Sequence, residues 1–93
     1  MASFIRRSPH VVLAYLEGTP ILLHTQSKES WKLDDTAHLV WQGIESKRSS
    51  EGIRAMLGHA LMLDEIDAER AVGSVLEEFR THGLILPLLP AER

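Results

Sequence analysis

Five histidines, at positions 10, 24, 38, 59 and 82, are the side chains of this 93-residue chain best suited to hold a metal or move a proton near neutral pH. No two stand three or four residues apart, so no helical face carries a ligand pair, and the HExxH arrangement of zinc hydrolases is absent. The chain has no cysteine, which removes a thiolate zinc site, an iron–sulfur cluster, a disulfide frame and a cysteine nucleophile. Ser30, Asp34 and His38 supply the residue types of a hydrolytic triad. They lack the strained Gly-x-Ser-x-Gly elbow and the oxyanion loop such a triad needs, so chance composition explains them. The glycines at 18, 43, 52, 58, 73 and 83 are scattered singly and make no phosphate loop. Neither catalysis by this chain, nor a cofactor, nor a metal is expected.

Composition narrows the classes further. At 93 residues and 44% hydrophobic, the chain is one small domain with one core. Ten Lys+Arg stand against 13 Asp+Glu, a formal charge of −3, whereas a nucleic-acid binder normally carries a basic excess on one face. The N-terminal residues hold Arg6, Arg7 and Pro9 but no apolar run of signal-peptide length. Nothing approaches the roughly 20 apolar residues of a membrane span. A cysteine-free chain of this kind suits a reducing cytoplasm, with no nucleic acid and no membrane as partner.

The elements that position these residues follow from periodicity. Residues 1–9 read as a flexible lead-in, 10–86 as the domain and 87–93 as a C-terminal tail. His10 to Leu16 favours a strand and is apolar on both faces, so its core side is open. Glu17-Gly18-Thr19-Pro20 is a turn. Ile21 to Thr25 is a second strand, and Gln26 to Glu29 a second turn. Ser30 to Leu33 completes an antiparallel meander, with Trp31 and Leu33 on one face and Ser30 and Lys32 on the other.

Asp34 or Asp35 then caps a helix running to about Glu45, with Ala37, Val40, Trp41 and Ile44 as its apolar stripe. Ser49 or Ser50 caps a second helix, Glu51 to about Leu61, in which Gly52 and Gly58 suggest close packing. Asp67 is the expected cap of a third, Ala68 to His82, with Ala68, Val72, Val75, Leu76 and Phe79 inward. Gly83 fits a left-handed helix end. Leu84-Ile85-Leu86 is a final apolar run, either a short strand or a tail on the core. Strands first and helices after give an α+β fold with helices covering one sheet face.

Two features invite function. Gly73 interrupts the third helix, which suggests close helix packing or, as a functional alternative, room for a ligand backbone. Three helices beside a small sheet also suggest a winged-helix DNA-binding regulator. The third helix carries Glu69, Glu77 and Glu78 against Arg70 and Arg80, a balance that repels phosphate. The remaining opportunity is the edge strand Ser30–Leu33, which offers unpaired N–H and C=O groups to an extended peptide. Its rival role is an edge merely guarded by Lys28 and Lys32.

The ordered motifs add a family. Leu22-Leu23 before a turn, Trp31-Lys32-Leu33-Asp34-Asp35-Thr36-Ala37 running into Val40-Trp41, and an acid-capped helix from Asp67 through Phe79 closing on Gly83-Leu84-Ile85 resemble the PqqD family. That family is the recognition element of pathways that modify ribosomally made peptides. The resemblance covers about His10 to Leu86 and implies a winged-helix-like domain with a three-stranded β-meander and three α-helices. It implies a non-catalytic adaptor that binds a precursor leader peptide as an added strand. By position, the leader would meet Ser30, Trp31, Lys32 and Leu33, and lie near Val72, Val75, Leu76, Phe79 and Arg80. PqqD proteins of quinone-cofactor synthesis have a longer, proline-containing segment where this chain has only His24 to Glu29. The shorter form is more similar to free-standing elements of lasso-peptide clusters, which imply a separate leader peptidase as second partner. A self-pairing homodimer is the further alternative.

Overall fold

Glu17 and Gly18, both in the left-handed φ region at 53° and 82°, form a two-residue turn that matches the right-handed twist of its flanking strands. The hairpin it closes begins the domain in the computed structural model, which describes residues 5–86. β1 (Val11–Leu16), β2 (Thr19–His24) and β3 (Ser30–Lys32) form one antiparallel sheet in the order β1-β2-β3. α1 (Asp35–Glu45), α2 (Ser50–Leu61) and α3 (Glu65–Thr81) follow. The α+β meander-then-helices layout expected from the sequence is the one observed.

The strand face left open by pattern is now assigned. Val11 is fully buried and Leu13 half-buried beside Leu22, whereas Val12 and Leu16 on the other face are exposed. Thr19 and Pro20 belong to β2 and not to the turn. Pro20 is tolerated because it stands opposite Tyr15 at a position of the β1 ladder that exchanges no hydrogen bonds, and toward β3 it needs only its carbonyl, which accepts from Leu33 N–H at 2.9 Å.

Asp34 caps α1, its Oδ1 accepting from Ala37 N–H at 2.8 Å, and Ser49 caps α2 through Gly52 N–H. The Glu51 carboxyl in the first turn of α2 is held below its ordinary range, chiefly by a backbone hydrogen bond. The folded state therefore gains from ionised Glu51 above the ordinary carboxylate range and loses that gain as pH falls through the lowered value.

The cap expected at Asp67 is at Asp64, and α3 starts three residues earlier than the apolar stripe suggested. Met62, at φ 55°, ends α2, and Asp64 Oδ1 then accepts from Asp67 N–H at 2.8 Å. Asp67 becomes a first-turn acid, favourable to the helix dipole.

The lead-in also needs correction over its described part. Ile5 and Ser8 are buried. Arg7 bridges to Ile85, Ser8 N–H donates to Leu84 O at 3.0 Å, and Leu86 N–H donates to Arg6 O at 2.8 Å. Leu84 and Ile85 are themselves buried, so the run after Gly83 packs on the core while bridging to the N-terminal segment. Residues 1–4 and the tail 87–93 lie outside the described residues.

Trp41 centres the core, fully buried, with its ring edge-to-face on Phe79 at 5.6 Å. Its Nε1–H has no acceptor among the described residues, a desolvation cost of about 1–3 kcal/mol. Gly43 lets α1 approach α2: a Cβ there would sit 2.7 Å from Ile53 Cγ1. At Gly58 the crowding is milder: a Cβ would sit 3.3 Å from the Leu63 carbonyl oxygen.

Gly73 has no such reason. It is exposed, and a Cβ there would meet nothing within 4 Å, so the packing explanation fails. Gly73→Ala is expected to stabilise the domain by about 0.5–1 kcal/mol, read as a higher denaturant midpoint at unchanged slope.

Candidate functional site

The last strand is only three residues long, yet its hydrogen bonding divides it sharply. Leu33 N–H donates to Pro20 O, and His24 N–H donates to Glu29 O, both at 2.9 Å. With Trp31 opposite Leu22 and Lys32 opposite Ile21, antiparallel alternation turns the backbone of Glu29, Trp31 and Leu33 toward β2. The N–H and C=O groups of Ser30 and Lys32 therefore point outward, at the open edge of the sheet.

Side chains alternate across the same strand. Ser30 and Lys32 are exposed, Trp31 is half-buried and Leu33 is buried against the core. The last turns of α3 stand across from this edge, and His82 brings its ring to 5.2 Å from that of Trp31. Gly83, at φ 72°, ends the helix, with Leu84 N–H donating to Phe79 O at 2.8 Å, which seats Leu84 beneath the gap.

Between β3 and α3 lies a cavity of about 110 Å³. Trp31, Leu33, Ala37, Phe79 and Leu84 supply its apolar lining, and Lys32, Asp34, Glu78 and His82 its polar rim. An extended segment laid along Ser30–Lys32 would hydrogen-bond the edge and drop an apolar side chain into this cavity.

The candidates named from sequence fall into separate groups. Ser30, Trp31, Lys32 and Leu33 form the edge, and Phe79 lines the cavity from within the core. Val72 and Val75 are buried in the core, Leu76 packs half-buried against it, and Arg80 is paired with Glu77; none of these four lines the cavity. Asp34, Ala37, Glu78, His82 and Leu84 were missed as site residues. Glu78 and His82 lie one helical turn apart beside the inward stripe, a spacing legible in sequence only once the strand across from it is known.

Other residues that could do chemistry have partners of their own. Asp34 is occupied as the α1 cap, and His38 Nε2 meets Tyr15 OH at 3.0 Å. His10 and His24 face each other at 6.0 Å across the hairpin. Among the described residues no group of three potential metal ligands gathers, and no helix is long and apolar enough to cross a membrane. α3 carries Glu65, Asp67, Glu69, Glu77 and Glu78 against Arg70 and Arg80, more acidic than the shorter helix expected and less suited to DNA.

The family model described as coenzyme PQQ synthesis protein D (PqqD) matches residues 20–85. The chain belongs to the PqqD family. The match spans the candidate edge, the cavity and all three helices of this PqqD-family chain. Two solved structures share its fold. One, lasso peptide synthetase B1 complexed with the leader peptide, has a TM-score of 0.81 at 28% identity, covering 89% of this chain and 98% of that one. The other, TbiB1 in complex with the TbiA(β) leader peptide, has a TM-score of 0.82 at 22% identity, covering 91% and 99%. No curated protein sequence matches this PqqD-family chain.

Proposed function

We propose that this protein is a peptide-binding adaptor that takes the leader segment of a ribosomally made precursor as a fourth strand on β3. It holds the precursor for a separate enzyme, with a leader peptidase of a lasso-peptide pathway favoured. The observation that carries this reading is the pairing of an open edge, at Ser30 and Lys32, with an apolar-floored cavity between Trp31 and the end of α3. Family membership and the leader-bound state of two fold neighbours support it. The adaptor performs no chemistry itself: main-chain bonds fix the leader's register, and the cavity selects one side chain.

The test is fluorescence anisotropy of a labelled leader peptide from the precursor gene beside this one. Saturable binding that survives moderate salt and is lost on scrambling is the expected result. No binding at high-micromolar protein would reject the pairing.

A further inference from the structure

The sheet has a second open edge, along β1, and it differs from β3 in what it exposes. Thr25 N–H donates to His10 O at 2.7 Å, which fixes the alternation and turns the backbone of Val11, Leu13 and Tyr15 outward. Val11 is already served: its N–H donates to Ser8 O at 3.2 Å, and its carbonyl accepts from Arg7 Nη1 at 2.6 Å. Among the described residues, Leu13 and Tyr15 have no such partners. The side chains flanking them on the outer sheet face are apolar and uncovered, Val12 at 42% and Leu16 at 62% exposure. β1 itself contains no charged residue, and Arg7 covers only its Val11 end, which leaves Leu13 and Tyr15 without the usual protection of an edge. Beside it runs an open cleft of about 670 Å³, with Arg7, its ion-pair partner Glu45, and Arg48 in its lining.

We propose that the β1 edge is a homodimer interface, in which two copies pair β1 with β1 antiparallel about a two-fold axis at Ala14. The occupant is a second copy because this strand complements itself in one register only. Centred on Ala14, Leu13 stands opposite the partner's Tyr15 and Tyr15 opposite the partner's Leu13, so every open backbone group is met. Exposed Val12 lies beside the partner's Leu16, and the converse holds by symmetry. Centring on Leu13 would set Tyr15 against Val11, whose groups Ser8 and Arg7 already occupy. Centring on Tyr15 would require Glu17 to be extended, and its φ is 53°.

Charge agrees with the same register. Glu17 is exposed and has no ion pair among the described residues. Centred on Ala14, it falls opposite Val11 of the partner, beside the cleft in which Arg7 is already paired with Glu45 at 3.2 Å and Arg48 has no ion pair among the described residues, so Arg48 is the cation left for it. The symmetry axis makes this contact twice. Both β3 edges remain free in the resulting six-stranded sheet, so the dimer is independent of the groove proposed above. A strand-edge interface is small, and its dimer should be weak.

Sedimentation velocity from low- to high-micromolar protein tests it. The wild-type chain should pass from monomer to dimer across that range. Glu17→Arg, on an exposed turn, should weaken dimerisation at least tenfold. Leu13→Pro should abolish it by removing an outward N–H, and the monomer should tolerate it because Leu13 exchanges no hydrogen bonds with β2. If Leu13→Pro fails to fold, Glu17→Arg decides alone. A wild-type monomer throughout would overturn the proposal, as would a dimer that Glu17→Arg leaves unchanged or one lost in Lys32→Pro.

Discussion

Lys32→Pro should reduce leader affinity about 100-fold or more and leave the domain folded. The Lys32 N–H points away from β2, so a proline there breaks no bond of the native sheet and stands on an edge strand, where proline is tolerated. An added strand, however, loses that donor, and one of its carbonyls is left desolvated at a cost of about 1–3 kcal/mol. The pyrrolidine ring also projects into the space the leader backbone must occupy, and together these reach the stated factor. Trp31→Pro makes the control. Its N–H faces β2, so that substitution should unravel β3 and lower the melting temperature. Circular dichroism and anisotropy titration of both variants separate the outcomes. A folded Lys32→Pro protein that binds with unchanged affinity would reject strand addition at this edge.

That contrast between neighbouring residues could be expected from the sequence only in part. The order of the strands, a cap at Asp34 or Asp35, the inward stripe of α3 and the helix end at Gly83 rest on signals within a few residues of each other, and these are where sequence and structure agree. Asp64 and Asp67 are both competent caps, and choosing between them depended on where α2 ended, at the left-handed Met62. The burial of Ile5 depends on a bridge between Arg7 and Ile85, a pairing between the two ends of the chain that no local pattern reveals. The groove is non-local in the same way. Periodicity puts Val72, Val75 and Phe79 on the inner face of α3 without saying which the strand covers. It also says nothing of Glu78 and His82, which matter only because β3 stops across from them. Gly73 shows the converse: a residue that looked meaningful in sequence faces open space.

The same distinction separates binding from stability in two aromatic residues of the site. Trp31→Ala should weaken leader binding about 30-fold, near 2 kcal/mol, with a smaller loss of stability. Its side chain is half-buried at the strand edge, walls the cavity and leans on His82 at 5.2 Å; removing it opens the cavity to water. Phe79→Ala should do the reverse. Phe79 is 3% exposed and meets the fully buried Trp41 edge-to-face at 5.6 Å, so truncation leaves a void worth about 3–5 kcal/mol. In a domain of this size that is a large share of the total stability. Its apparent loss of binding should then follow the unfolded fraction and recover when an osmolyte restores the fold, whereas the Trp31→Ala defect should persist. Denaturant melts paired with anisotropy titrations in sucrose measure both. If Trp31→Ala binds normally in the folded state, the leader's anchor is not in this cavity, and the backbone edge alone must carry the affinity.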